Sequence, residues 1–204
     1  MYRNISAKKC KFWARSSIVN SVRYLTSNRP PKHGGRHELS NLIKPNSISL
    51  ELGVASGYFS ESILQNSKVG QHFSIDLWGD HHDSLEYIKC ATRLSRFNDR
   101  SVVMRMDFSS ALLIFPDHFF DTIYIDAYAH TGQQNGQLLE NWWNKLKPGG
   151  IFSGHDYDEK WPQTVSSVNQ FCELKKLKVH IFSGIKNKVL EDGYSSWYTF
   201  KSED

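Results

Sequence analysis

Between residues 47 and 201, short apolar runs alternate with amphipathic stretches, and this order of elements constrains the fold more than any other feature. "SISLEL" (47–52) reads as a strand and 57–65 as a helix, then "QHFSIDL" (71–77) as a strand and 82–97 as a helix. "SVVMRM" (101–106), "FFDTIYID" (119–126) and "GGIFSGH" (149–155) are further strands, separated by helical patterns at 109–115 and 133–146. A last helix begins near Trp161, where Pro162 suits a first-turn position. Strand–helix alternation of this kind predicts an α/β fold: a Rossmann-like, doubly wound parallel sheet with helices on both faces. "KVHIFS" (178–183) and "YSSWYTFK" (194–201) are two strand patterns joined by a glycine-containing loop, so they are expected to pair antiparallel. Ligands of open α/β sheets sit beyond the carboxyl ends of the strands. Glu51, Asp76, Asp107, Asp126 and the His155/Asp156 pair all fall at or just past those ends.

Residues 1–39 form a basic arm ahead of a domain that runs over 40–204. Residues 1–46 carry ten Lys or Arg against one acid, Glu38, for a net +9, whereas the rest of the chain is net −5. The arm has the Arg/Ser-rich, acid-poor composition of a transit peptide, and its apolar positions Ile5, Trp13, Val19, Val22 and Leu25 predict a helix ended by "NRPPKHGG". Such an arm suits a solvated face, an anionic contact or docking on a second subunit in a homodimer. The longest apolar run, "ALLIF" (111–115), is far short of the ~20 residues of a membrane span. Three scattered cysteines, Cys10, Cys90 and Cys172, fit neither a disulfide framework nor a zinc knuckle, and a reducing, cytoplasmic setting is the expectation.

In "LELGVASGYFS" (50–60), Gly53 and Gly57 lie between strand and helix, where glycine lets a ligand approach the backbone closely. The spacing is not G-x-G-x-x-G, so a dinucleotide fits poorly. Asp76, ending the next strand, has the position and chemistry to accept from two ribose hydroxyls, although a helix cap there is equally ordinary. Together with "FDTIYIDA", "LKPGG" and the terminal hairpin, Glu51-x-Gly53-x-x-x-Gly57 and Asp76 resemble the class I S-adenosylmethionine-dependent methyltransferases over roughly 40–204. The resemblance implies strand order 3-2-1-4-5-7-6 and a cofactor over Gly53, Ser56 and Gly57. It also implies that Asp76 holds the ribose, Leu77 and Trp78 border the adenine, Asp107 and Phe108 meet its amino edge, and Glu51 lies near the methionine part.

Within that superfamily "IDLWGD", "YIDAYAH" and "KPGGIFSGHDY" look similar to small bacterial enzymes of the catechol and macrocin O-methyltransferase kind. That likeness implies a divalent cation on Asp126, His155 and Asp156, with Asp126 also bordering the cofactor. An imidazole in the set favours Mn²⁺ or Fe²⁺ over Mg²⁺. A metal would lower the pKa of an acceptor hydroxyl and orient it. His130, four residues past Asp126, is a candidate general base for catalysis alongside Asp126. The plainer readings are that Asp156 caps the helix near Trp161 and that His130 shapes a loop. "KHGGRH" (32–37) is either a cover over the site or a linker, and His81 and His82 either reach the cofactor or substrate mouth or, the reading preferred, are surface residues beginning a helix.

The expected activity is methyl transfer from S-adenosylmethionine to a hydroxyl of a small-molecule acceptor. Metal-independent N-methylation and nucleic-acid methylation through the basic arm stand as alternatives. No Asn/Asp-Pro-Pro-aromatic base-flipping signature occurs, which speaks against nucleic acid.

Overall fold

Ile48–Leu52 (β1) is buried at four of its five residues and pairs in parallel with Gln71–Asp76 (β2), inside a largely parallel sheet. The computed structural model describes residues 35–79, 82–185 and 193–203. The expected arm helix, His81 and the first part of "KHGGRH" lie outside the described residues. Ser101–Arg105 (β3), Phe120–Ile125 (β4), Leu146–Gly154 (β5), His180–Phe182 (β6) and Ser196–Phe200 (β7) complete seven strands in the order β3-β2-β1-β4-β5-β7-β6. β7 runs antiparallel between β5 and β6, as the hairpin pattern predicts. The order reverses direction at β1, which pairs with β2 on one side and β4 on the other. A crevice between the ends of β1 and β4 follows from that reversal.

The helices lie where the amphipathic stretches require. Tyr58–Asn66 (α1) and Ser84–Leu94 (α2) cover one face through Phe59, Ile63, Leu64, Cys90 and Leu94, together with Leu39 and Ile43 from the residues before β1. Phe108–Leu112 (α3), Gln137–Trp143 (α4) and Pro162–Leu174 (α5) cover the other. There Trp142 and Trp143 pack as core residues against Phe120, Phe152 and Phe171. Full burial of side chains of this kind contributes about 1.5–3 kcal/mol each.

Two departures from the periodic pattern have local causes. The helix expected over 133–146 starts only at Gln137, because Gln133, Gln134 and Asn135 adopt left-handed backbone with φ of 58°, 56° and 54°. Gly132 lets that turn press on α5: a Cβ there would stand 2.6 Å from the Gln163 carbonyl. The "LKPGG" segment is not a turn before β5 but an irregular start to it, with the register jumping between Phe120↔Leu146 and Thr122↔Ile151.

Candidate active site

At the carboxyl edge, β1 ends in Gly53 with φ +84°, and a Cβ at that position would lie 2.0 Å from the Asp126 carbonyl oxygen. Only glycine lets the β1 turn lie against the end of β4 this closely. Asp76 holds the same turn from the other side. Its Oδ2 accepts from the Val54 and Ala55 amides at 2.8 and 2.9 Å, and its Oδ1 from the Trp78 amide at 3.1 Å. His82 Nδ1 lies 2.9 Å from Oδ2. Burial on its own would raise this carboxyl, but the hydrogen bonds from His82, Ala55 and Trp78 outweigh it and bring the pKa down to about 2.

Glu51 forms the floor beside this turn and is buried. Ser60 Oγ donates to its Oε2, and Ser60 in turn meets Ser74 Oγ at 2.8 Å and His72 Nε2 at 3.1 Å. His72 Nδ1 is 2.7 Å from Ser49 Oγ, so a dry polar chain runs inward from the crevice between β1, β2 and α1. Burial raises the Glu51 pKa above the usual carboxylate range, against the opposing pull of His72.

These groups open into a cavity of about 700 Å³, within the range of small-molecule sites. Its walls include Glu51, Gly53, Ser56, Asp76, Leu77, Asp107, Phe108, Asp126, His130, His155 and Asp156, eleven of the thirteen residues singled out in the sequence. Gly57 and Trp78 are not on its surface. Gly57 brings α1 against α2, where a Cβ would stand 2.9 Å from Cys90 Sγ. Trp78 turns inward at φ 44°, donates its indole N–H to the Ala55 carbonyl at 2.8 Å and packs on Tyr87. Asp107 lines the cavity and also caps α3 through the Ser110 amide and hydroxyl at 2.9 and 2.7 Å.

The far end of the cavity carries a different chemistry. His130 stands edge-on to Trp161 at 4.5 Å, and Trp161 faces Tyr194 at 6.0 Å. The Trp161 indole N–H is buried with no hydrogen-bond partner among the described residues. Asp156 does not cap α5: the helix N-cap is Trp161 without a side-chain bond, and Asp156 itself takes left-handed backbone at φ 59°. Burial first, and then the neighbouring Asp126 charge, raise the Asp156 pKa to about 7. Burial lowers His155 to about 4, and its Nδ1 lies 2.9 Å from Ser196 Oγ. Asp126 is bound by Arg36, which belongs to the "KHGGRH" stretch read as a cover or a linker and was not itself a candidate site residue; its Nη1 is 2.6 Å from Asp126 Oδ2.

That arrangement does not fit the metal set expected on Asp126, His155 and Asp156. One carboxylate oxygen already carries a guanidinium and the imidazole Nδ1 faces a serine. Among the described residues no three His, Cys, Asp or Glu come together in a way that can hold an ion. Of the two readings of His82, the less favoured one matches the structure: it reaches Asp76 at the cavity. No helix among the described residues is long and apolar enough to cross a membrane.

Residues 50–157 match the family described as a methyltransferase domain. The chain belongs to that family, and its strand order is that of the class I S-adenosylmethionine-dependent methyltransferase fold. Among solved structures it is similar to the O-methyltransferase from Bacillus cereus in complex with SAH, at 17% identity and TM-score 0.62 over 91% of each chain. It is also similar to a SAM-dependent O-methyltransferase from Thermotoga maritima, at 13% identity and TM-score 0.59, over 80% of this chain and 63% of that one. The tRNA (m1A58) methyltransferase TrmI from Aquifex aeolicus matches at 14% identity and TM-score 0.59, over 82% and 68% of the two chains. No curated protein sequence matches.

Proposed function

We propose that this protein transfers a methyl group from S-adenosylmethionine to a hydroxyl of a small-molecule acceptor without a metal ion. The observation that carries the reading is one cavity with two chemically distinct ends. Asp76, Glu51 and the Gly53 turn line one end, and Asp156, His130 and Trp161 line the other. Bound at the first end, the cofactor supplies a methyl on a sulfonium, which an acceptor oxygen displaces in line.

The chain's own groups do the rest. Gly53 leaves the β1 turn bare for close approach, and Asp76 receives the ribose hydroxyls as His82, a quarter exposed, gives up its place on Oδ2. Glu51 faces the methionine part, Leu77 lies along the adenine, and Asp107 and Phe108 meet its edge. At the other end Trp161, whose buried indole N–H has no acceptor among the described residues, walls the acceptor side beside His130. Asp156, poised to titrate near neutral pH, takes the hydroxyl proton, and His130 shapes the wall against Trp161.

Calorimetric titration of S-adenosylhomocysteine into the chelator-treated protein tests the reading. We expect one site per chain with micromolar affinity, unchanged by added Mg²⁺ or Mn²⁺. Absence of binding overturns the methyltransferase reading, and binding that requires metal overturns its metal-free form.

A further inference from the structure

The proposed reaction leaves Arg36 without a role, although its guanidinium lines the cavity and is only 13% exposed. Its contacts include the 2.6 Å ion pair with Asp126 and the Phe59 ring, whose centroid lies 5.0 Å from Cζ. Phe59 begins the buried face of α1, so the arginine rests on the core of the domain rather than on a surface loop. Asp126 and Asp156 bring two carboxyls to one half-buried end of the cavity. Like charges so placed need a positive partner. A hard divalent ion is one such partner, because it is content with two carboxylates and water. A fixed guanidinium, permanently charged and planar, is another.

We propose that Arg36 is the resident cation of the acceptor end: it holds the electrostatic place on Asp126 that a divalent metal would occupy, and it meets the acceptor's oxygen as negative charge gathers there. The two acids of that end thus have a cation that the chain itself supplies. The same positive charge reaches further: it opposes the rise of the Asp156 and Glu51 carboxyls and adds to the lowering of His155 and His37. The acceptor class follows from it. A neutral molecule with an acidic hydroxyl, such as a phenol or an enol, gains from a guanidinium at that point, whereas a cationic amine is repelled. The acceptor half of this inference rests on the methyl-transfer reading, but its test does not.

Mn²⁺ is titrated into the full chain and into Arg36→Met, Arg36→Lys and the Arg36→Met/Asp126→Asn double variant, and free ion is followed by electron paramagnetic resonance. Wild type and Arg36→Lys are expected to leave the free-ion signal unchanged up to millimolar concentration. Arg36→Met is expected to bind one equivalent per chain, and the double variant to lose it. Stoichiometric binding by wild type or Arg36→Lys overturns the proposal, because arginine and metal would then coexist. So does an Arg36→Met protein that folds and binds no ion. If Arg36→Met does not fold, the wild type and Arg36→Lys titrations decide alone. S-adenosylhomocysteine binding in the same samples separates the two readings: its absence sinks the methyltransferase assignment and leaves the Mn²⁺ result standing.

Discussion

Two aspartates at opposite ends of one cavity are driven in opposite directions by their surroundings. Asp76, although burial opposes it, is held by His82 and by main-chain amides and falls to about 2, whereas Asp156 has burial and a neighbouring carboxylate against it and rises to about 7. The first is thereby a permanent anion that organises backbone, and the second a group that can change its proton near neutrality. Where environments push two like groups apart, one binds and the other does chemistry. The donor end is thus structural in its charges and the acceptor end reactive in them.

The largest effect expected from breaking this contrast is at Asp76. Asp76→Ala leaves three amides and His82 without their common acceptor, so S-adenosylhomocysteine affinity is expected to fall about 100-fold and the melting temperature to drop with it. Isothermal calorimetry and a thermal melt read both, and unchanged affinity would remove Asp76 from the cofactor site.

At the other end, Asp156→Asn is expected to leave cofactor affinity intact, lower kcat/KM by about 100-fold or more, and abolish a rising limb near pH 7. His130→Gln, by contrast, keeps that limb; if the limb disappears with His130 instead, the two residues exchange roles. Stability moves the other way. A carboxyl whose folded pKa is raised contributes stability that is full below its ordinary 3.8 and is lost as pH rises through about 7. Asp156→Asn is therefore expected to melt above wild type at pH 8, with the gap closing as the pH is lowered toward about 4. A gap that does not vary with pH would mean the carboxyl titrates elsewhere.

The smallest effect is at His82. Because its hydrogen bond to Asp76 must yield to the ribose, His82→Ala is expected to tighten S-adenosylhomocysteine by about threefold. Weakening would make His82 a cofactor contact rather than a placeholder.

The sheet was legible because its strands are continuous apolar runs with acids at their ends, and the terminal hairpin because its two β patterns have no helix between them. Glu51, Gly53 and Asp76 were legible for the same reason: their place follows from the strand they terminate. What escaped sequence reading depends on long-range approach or on backbone sign. Arg36 meets Asp126 across 90 positions of chain, and no periodicity links them. Trp78 lies two positions after Asp76, yet a positive φ turns its ring into the core instead of toward the cavity. Gly57 fits the turn motif but serves the packing of α1 on α2. The metal reading followed from three residue types in the right order, and order alone does not reveal that an arginine has reached one of them first.

The contact of Gly53 with the Asp126 carbonyl joins the two ends of the cavity through main chain alone. Beside it stands only the Ala127 methyl, so the spacing between the two ends is a dimension inherited with the fold. Variation that retargets such an enzyme has to work from the other walls, at Tyr128, His130, Trp161 and Tyr194, changing what is admitted while the gap the methyl crosses stays as it was.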